Sequence, residues 1–222
     1  MFRIWLKTLL MVMLCGSFGG SAETFVIARH QNSAVLDPCY HIVTQAYEML
    51  QIAVRVDEFP GRRSLQVAKN GIADAEMCRI ALVENEFPEL LRVDPPLMQI
   101  ELVAVTRHNM ARISDVAQLM GMNVGSIRGM MAAEMVLQDL DVQYLSQGKQ
   151  LLRALQGGLL DVLILTRKDA ERYTAQGLMD GNKIHPGSLY QLKLYHYIHR
   201  RHSHLKLRLG LAIRQQMMRY HH

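Results

Sequence analysis

The chain has 222 residues, of which 50% are hydrophobic and 20% are charged, and its formal net charge is +5. This length and composition fit one large domain or two smaller lobes with a substantial core, and they exclude a disordered chain. The basic residues form no dense block interleaved with aromatic residues, so the charge does not indicate a nucleic-acid-binding protein.

Residues 1–22, MFRIWLKTLLMVMLCGSFGGSA, have the pattern of a secretory leader. Arg3 and Lys7 flank the start of an apolar run that is followed by small residues, and the run is shorter than the roughly 20 residues that span a bilayer. We expect export with cleavage after Ala22. The remaining chain holds Cys39 and Cys78, which in an exported protein can form a disulfide or stay as two free buried thiols.

The first part of the chain alternates between strand and helix patterns. Residues 24–28 alternate as a strand, and LDPCYHIVTQAYEML predicts a helix that Asp37 caps, with Pro38 in its first turn. IAVRVDEF predicts a second strand. PGRRSLQVAKNG then predicts a short helix ending at Gly71, and IADAEMCRIAL predicts a third strand.

The alternation continues through the second part. QIELVAVT predicts a strand, Ser114 can cap a helix over DVAQLM, MNVGSI predicts a strand and RGMMAAEMVLQDL a helix. VQYLS, QGKQLLRALQGG and LLDVLILT repeat strand, helix and strand, and after a helix around residues 168–176 SLYQLKLYHYI predicts a returning strand. The tail predicts a docked helix with apolar residues at a spacing of four: Leu205, Leu209, Ile213 and Met217.

Two strands begin with the same local pattern. Asp74 follows Gly71 by three residues, and Asp161 follows Gly158 in the same way. We interpret both aspartates as structural residues that bond nearby loop N–H groups. The alternation of strands and helices predicts an α/β fold with mostly parallel sheet, and the repeated pattern predicts two similar lobes.

The order of these elements resembles the bacterial periplasmic solute-binding proteins of the polar-amino-acid type, which have the type 2 periplasmic binding protein fold. The resemblance rests on FPGRRSLQVAKNGIADAEM, DVAQLMGMNVGSIRGM and LLRALQGGLLDVLIL in sequence and covers nearly all of residues 23–222. It implies two lobes joined by two crossing strands, with residues 23–105 and 186–222 in lobe 1 and 106–185 in lobe 2. It also implies a monomeric periplasmic protein without a cofactor, which closes on a small-molecule ligand and delivers it to a membrane transporter.

The ligand clamps of that family are replaced here. The family places an arginine about a dozen residues after the first aspartate and an acid about five residues after the second, whereas these counts reach Glu86 and Thr166 in this chain. The sequence therefore favours another small anionic or zwitterionic solute over an ordinary amino acid, with Thr166 as a candidate contact.

Arg79 is the main candidate for a replacement, because its planar guanidinium suits a carboxylate or phosphate. The alternative is an exposed ion pair with Glu76, although strand alternation places Glu76 and Arg79 on opposite faces. Arg63, with Arg62, follows Pro60 in the first turn of a predicted helix and can also face the cleft.

Other candidates lie at strand ends, where helix N-termini expose backbone N–H groups. In the loop VGSIRGM, N–H groups around Gly129 and Met130 can receive an anion, and Ser126 and Arg128 lie beside them; ordinary loop geometry is the alternative. Arg29 and His30 follow the first strand and are candidates too, or else solvated loop residues. The tail histidines complete no recognisable metal-ligand set, so we predict no metal site.

Two other functions remain open from the sequence. The first is an enzyme on the same scaffold that resembles the periplasmic cyclohexadienyl dehydratases, for which Glu76 would be the catalytic acid or base. No Ser-His-Asp spacing or phosphate-binding loop is present, so we predict a protein that is not an enzyme. The second is a sensor-type binding protein that signals to a membrane partner.

Overall fold

The computed structural model describes residues 24–31, 36–60 and 62–220. The predicted leader and its cleavage after Ala22 lie outside this part of the chain. Within it, every helix is too short or too polar to pass through a bilayer.

Strands and helices alternate along the chain. The strands are β1 (Phe25–His30), β2 (Val54–Phe59), β3 (Ala75–Ile80), β4 (Leu90–Arg107), β5 (Val124–Ile127), β6 (Val142–Leu145), β7 (Val162–Thr166), β8 (Asn182–Ile184) and β9 (Tyr190–His199). The α-helices are α1 (Asp37–Met49), α2 (Arg63–Lys69), α3 (Val83–Glu86), α4 (Met131–Val136), α5 (Gly148–Gln156), α6 (Arg167–Ala175) and α7 (Lys206–Tyr220). Two 3₁₀ segments cover Val116–Leu119 and Arg200–Leu205.

The strands form one sheet in the order β2-β1-β3-β9-β4-β7-β5-β6, with β8 also paired to β4. β1 runs parallel to β2 and β3 at one end, and β5 runs parallel to β6 and β7 at the other. The long strands β4 and β9 lie between these groups and pair with each other antiparallel. This confirms the predicted α/β fold with two lobes joined by two crossing strands. The lobe boundaries in the sequence stay a prediction.

The two aspartates of the repeated pattern have matching contacts. In lobe 1 a carboxylate oxygen of Asp74 accepts from the N–H of Val26 at 2.7 Å, and in lobe 2 a carboxylate oxygen of Asp161 accepts from the N–H of Asn123 at 2.8 Å. Each aspartate thereby ties the start of its strand to a neighbouring strand. Both aspartates thus have the predicted structural role, although the N–H that Asp74 binds belongs to strand β1 rather than to a loop.

The buried side chains form a large and a small cluster, which lie on opposite faces of the sheet at β4 and β7. In β4, Leu102 and Ala104 belong to the large cluster, whereas Val103 and Val105 belong to the small one. This separation follows from the alternation of side chains along a strand. Both faces of the sheet are covered here, which explains why residues 102–105 of β4 form a continuous apolar run.

Two local predictions were wrong at helix starts. Asp37 is the first residue of α1 instead of its cap, and its carboxylate pairs with Arg29. Asp115, not Ser114, caps the segment Val116–Leu119, which is 3₁₀ rather than α-helical. In the tail, Leu205, Leu209 and Ile213 are buried as predicted.

Gly210 allows α7 to press directly on β4. A Cβ atom at this position would lie 2.4 Å from the carbonyl oxygen of Asp94, which is backbone and cannot rotate away. We expect Gly210→Ala to lower the free energy of unfolding by about 1–3 kcal/mol through overpacking, although helix propensity alone would favour alanine by ~1 kcal/mol.

Denaturant unfolding measures this effect, and Gln215→Ala on the exposed side of the same helix serves as the control. We expect the control to change stability by less than about 0.5 kcal/mol. A Gly210→Ala protein at least as stable as the unmodified one would show that α7 does not approach β4 this closely.

His196 is fully buried at the centre of the molecule. Its Nε2 lies 2.9 Å from the Tyr47 hydroxyl and its Nδ1 lies 3.1 Å from the carbonyl oxygen of Met77. Burial lowers the pKa of His196 from 6.5 to about 4, so the imidazole is neutral in the native protein at neutral pH.

Stability is therefore expected to fall with acidification. The unfolded chain takes up a proton at His196 near pH 6.5, whereas the native protein does so only near pH 4. The contribution of His196 to the free energy of unfolding is constant above pH 6.5. It falls by roughly 3 kcal/mol as the pH drops to 4. Denaturant unfolding across this range should show a shallower pH dependence in His196→Gln, and an unchanged slope would contradict the assignment.

Candidate ligand-binding cleft

A cleft of about 890 Å³ opens between the two lobes. Its walls are the ends of β1 and β3 on one side and the ends of β5 and β7 on the other, as expected for ligand sites of open parallel sheets. Its floor is apolar and includes Ile100 of β4 and Leu194 of β9. The volume falls within the range of small-molecule sites.

Arg79 lines the cleft, and hydrogen bonds to buried side chains fix its guanidinium. It is 8% exposed, and its Nε donates to the carboxylate of Glu76 at 2.8 Å, while its Nη2 donates to the hydroxyl of Ser64. The pairing of β3 with β9 shifts register between Glu76 and Arg79, so these residues do not alternate faces as regular strand geometry requires. The prediction that they lie on opposite faces was wrong for this reason, and the ion pair is buried rather than exposed.

Glu76 itself does not line the cleft. It is fully buried beneath Arg79, where burial raises the pKa of its carboxyl and the charge of Arg79 opposes that rise. His30 lines the cleft beside Arg79, and burial together with the charge of Arg79 lowers the pKa of His30 to about 4. A neutral imidazole therefore faces the cleft at neutral pH.

An ion pair crosses the cleft at its opening. Arg62 precedes α2 in lobe 1, and its Nε lies 3.5 Å from a carboxylate oxygen of Glu134, which is in α4 of lobe 2. Arg62 also lies 3.6 Å from Glu86. Both side chains are partly exposed, so this contact contributes little to stability and can exchange with solvent.

Glu134 also occupies the anion position predicted in the loop VGSIRGM. Its Oε1 accepts from the N–H of Gly129 at 2.9 Å. Gly129 has a φ of +79°, a conformation that favours glycine. This N–H thus holds a carboxylate of the chain itself. Met130 and Arg128 also line the cleft, and Arg128 donates to the carbonyl oxygen of Tyr144 at 2.9 Å.

The start of α6 brings a second acid into the cleft. Thr166 caps the helix by accepting from the N–H of Asp169 at 3.1 Å and donates its hydroxyl proton to the Asp169 carboxylate at 2.6 Å. Arg172 pairs with Asp169 at 2.7 Å. Thr166, Asp169, Arg172 and the neighbouring Tyr173 all line the cleft.

Three other candidates lie away from the cleft lining. Arg63 is exposed on α2, and Arg29 pairs with Asp37 and lies over the ring of Tyr40. Ser126 is buried and donates to the carbonyl oxygen of Ile164 at 2.7 Å, so its hydroxyl links β5 to β7.

Cys39 and Cys78 are joined in a disulfide. This bond ties α1 to β3, and Cys78 lines the cleft next to Arg79. Within the described residues, no group of three or more His, Cys, Asp and Glu is arranged to hold a metal ion.

Three charged groups of the cleft were not predicted from the sequence. Asp169 has a readable signal, because TRKD is a threonine followed three residues later by an acid, a pattern typical of helix starts. Arg172 follows one turn later on the same helix. Glu134 has no such signal, because its place depends on how α4 packs against the loop before it.

Solved structures of other proteins share this fold. An arginine-bound mutant of ArgBP from T. maritima aligns with a TM-score of 0.71 at 13% identity, covering 88% of this chain and 96% of that one. The GluR0 ligand-binding core in complex with L-glutamate aligns with a TM-score of 0.75 at 11% identity, covering 90% and 94%. The chain has the type 2 periplasmic binding protein fold.

This confirms the resemblance that the order of motifs indicated. A histidine kinase sensor domain similar to periplasmic binding proteins shares the fold as well, with a TM-score of 0.70, 13% identity and coverage of 86% and 89%. No protein-family model and no curated protein sequence matches the chain. At these identities the likeness extends to the fold, and the chemistry of the cleft must be derived from this chain's own residues.

Proposed function

We propose that this protein is a non-catalytic solute-binding protein whose two lobes close on a small anionic or zwitterionic ligand. The observation that carries the proposal is the charge of the cleft between the lobes: Arg62, Arg79, Arg128 and Arg172 line it, against the acids Glu134 and Asp169. The four arginines outnumber the acids even when Glu76, which is buried behind Arg79, is added to Glu134 and Asp169. A ligand carboxylate would therefore find cationic donors, with Asp169 available for a ligand ammonium group.

The apolar floor sets the size and shape of the solute. Ile80, Ile100, Ile127 and Leu194 provide surface for an aliphatic or aromatic body, while the charged groups lie at the walls. This combination of an apolar lining with a few convergent polar groups is typical of small-molecule sites. We propose that the ligand has an apolar body and at least one carboxylate.

Thermal shift with a panel of small solutes tests the proposal. The panel contains the amino acids, di- and tricarboxylates and short peptides, and the protein spans residues 23–222. A ligand at 100 times its dissociation constant should stabilise the fold by about 2.7 kcal/mol. If no member of the panel gives a thermal shift or a binding heat, the proposal fails.

Arg128→Gln is the informative variant, because Arg128 lines the cleft and forms no ion pair among the described residues. Loss of one hydrogen-bonded charge should weaken binding about tenfold or more. Arg153→Gln, on an exposed position of α5, is the matched control and should bind as the unmodified protein does.

Glu76, the residue that would be catalytic if the protein were an enzyme, does not line the cleft. Glu76 is fully buried and paired with Arg79, so its carboxylate does not reach a substrate in the cleft. Product formation from prephenate or arogenate, abolished in Glu76→Gln, would overturn this assignment.

We further propose that the protein works as a periplasmic monomer, with residues 23–105 and 186–222 in one lobe and 106–185 in the other. Its partner would be a membrane transporter, or a membrane sensor as the similarity to a sensor domain suggests. Neighbouring genes for a permease and ATPase favour uptake, and a neighbouring sensor kinase favours signalling.

A further inference from the structure

The C-terminal helix α7 presents an apolar stripe to the outside of the molecule. Leu207, Leu211 and Met218 are 82%, 69% and 59% exposed. Their spacing of four and seven residues places them on one line along the helix, opposite the buried Leu209, Ala212 and Gln216. Leu207 and Leu211 are one turn apart, and Met218 lies two turns further along the same line with Arg214 between them.

The same outer side of α7 is basic. Lys206, Arg208, Arg214 and Arg219 are exposed, and none of the four forms an ion pair with another described residue. No aspartate or glutamate occurs after Asp180. The eight lysines and arginines that follow it exceed the net charge of +5 of the whole chain, so the residues before them are net acidic and the positive charge is concentrated in this segment.

Acidic residues of neighbouring elements do not neutralise this surface. α7 packs on α1 and β4, whose acids are Asp37 and Glu48 in α1 and Asp94 and Glu101 in β4. Asp37 pairs with Arg29, and Glu101 pairs with Arg167. Asp94 already pairs with Arg92 at 3.5 Å. An occupant of this surface must therefore combine negative charge with an apolar layer.

The start of the described chain lies at the same end of the molecule. The ring of Phe25, the first residue of β1, lies 4.8 Å from the ring of His202 in the 3₁₀ segment that leads into α7. The first strand of the described chain thus begins close to the start of the basic surface.

We propose that the exposed side of α7 binds the surface of a membrane that contains anionic lipids. A helix with leucine and methionine on its outermost line and arginine beside it suits the boundary between headgroups and acyl chains: the apolar side chains enter the boundary and the arginines contact lipid phosphates. Because only three apolar side chains insert, neutral lipid alone is insufficient and binding depends on anionic headgroups. This inference is independent of what the cleft binds.

Vesicle co-sedimentation tests the proposal with residues 23–222, which include every described element and omit the apolar run. Vesicles of phosphatidylcholine with 30% phosphatidylglycerol are compared with phosphatidylcholine alone at low salt. We expect at least tenfold stronger binding to the anionic vesicles, weakening as salt increases. Equal binding to both vesicles, or binding to neither, would overturn the proposal.

Surface variants locate the binding site. Arg214→Gln should weaken vesicle binding about fivefold, and the double variant Leu207→Gln/Leu211→Gln should also weaken it at least fivefold. The matched controls are Arg153→Gln and Leu159→Gln, since Leu159 is 72% exposed away from α7. Unchanged thermal stability shows that each variant is folded, and α7 variants that bind like their controls would contradict the proposal.

Two partners other than a membrane would give different results for the exposed side of α7. A second copy of the chain would appear as a dimer in sedimentation equilibrium that is lost in Leu207→Gln/Leu211→Gln. An acidic protein surface would appear as binding to an acidic polypeptide such as polyglutamate with no binding to the vesicles. Either result would replace the membrane as the occupant of α7.

Discussion

Arg79→Ala is expected to lower the free energy of unfolding by about 3–5 kcal/mol, because it leaves the buried carboxylate of Glu76 without its charged partner. Glu76 is fully buried, and its carboxylate lies 2.8 Å from the Nε of Arg79. Denaturant unfolding at pH 7 measures the loss, which should shrink at lower pH as Glu76 takes up a proton.

The double variant Glu76→Leu/Arg79→Leu separates the role of the pair from the role of Arg79 alone. Apolar replacement of both partners of a buried ion pair is often neutral, so most of the stability should return. If Arg79 binds the ligand, the response to a ligand found in the thermal shift panel stays lost in the double variant. A single variant as stable as the unmodified protein would contradict the buried pair.

Loss of the disulfide is the second large effect. Cys39 and Cys78 are separated by 39 residues, and closing a loop of that length stabilises the native state by about 4 kcal/mol in the chain-entropy account. We expect Cys39→Ala/Cys78→Ala, or reduction of the unmodified protein, to lower the free energy of unfolding by a similar amount. The midpoint of denaturant unfolding falls accordingly and measures the effect.

The chain from residue 23 onward contains no other cysteine, so a reductant acts on this bond alone. Reduction should have no effect on the double alanine variant, which is the control. Equal midpoints for the oxidised and reduced protein would show that the bond is absent or energetically silent. Because Cys78 lines the cleft beside Arg79, the same variant should also bind the cleft ligand more weakly.

The sequence was sufficient for the architecture because the elements carry local signals. Alternating apolar patterns predicted β1 to β3 and β5 to β7, and the glycine-to-aspartate spacing at Asp74 and Asp161 predicted the relation between the lobes. The long strand β4 was predicted only over its last residues, since Pro95 and Pro96 interrupt the strand pattern after Leu90. The short strand β8 and the single-turn helix α3 carry too few residues for any periodicity.

The cleft was predictable only in part, because its details depend on contacts between distant residues. Arg79, His30, Arg128, Gly129, Met130 and Thr166 all lie in its lining. The orientation of Arg79 toward Glu76 depends on a register shift in the pairing of β3 with β9. The occupation of the Gly129 N–H by Glu134 likewise depends on the packing of α4.

The occupied anion position has a consequence for ligand binding. A solute carboxylate that approaches Gly129 must displace Glu134, which would also break the ion pair between Glu134 and Arg62 across the cleft. The alternative is a ligand that uses Arg79, His30 and Asp169 and leaves Glu134 in place. The position of the ligand in the cleft therefore decides which residues determine specificity.

A crystal structure of the protein with a ligand from the thermal shift panel tests the central claim most directly. We predict that the ligand lies between the lobes, with a carboxylate within hydrogen-bonding distance of Arg79, Arg128 or Arg172 and its body against Ile100 and Leu194. A ligand bound outside this cleft, or inside it with no contact to any of these arginines, would contradict the account.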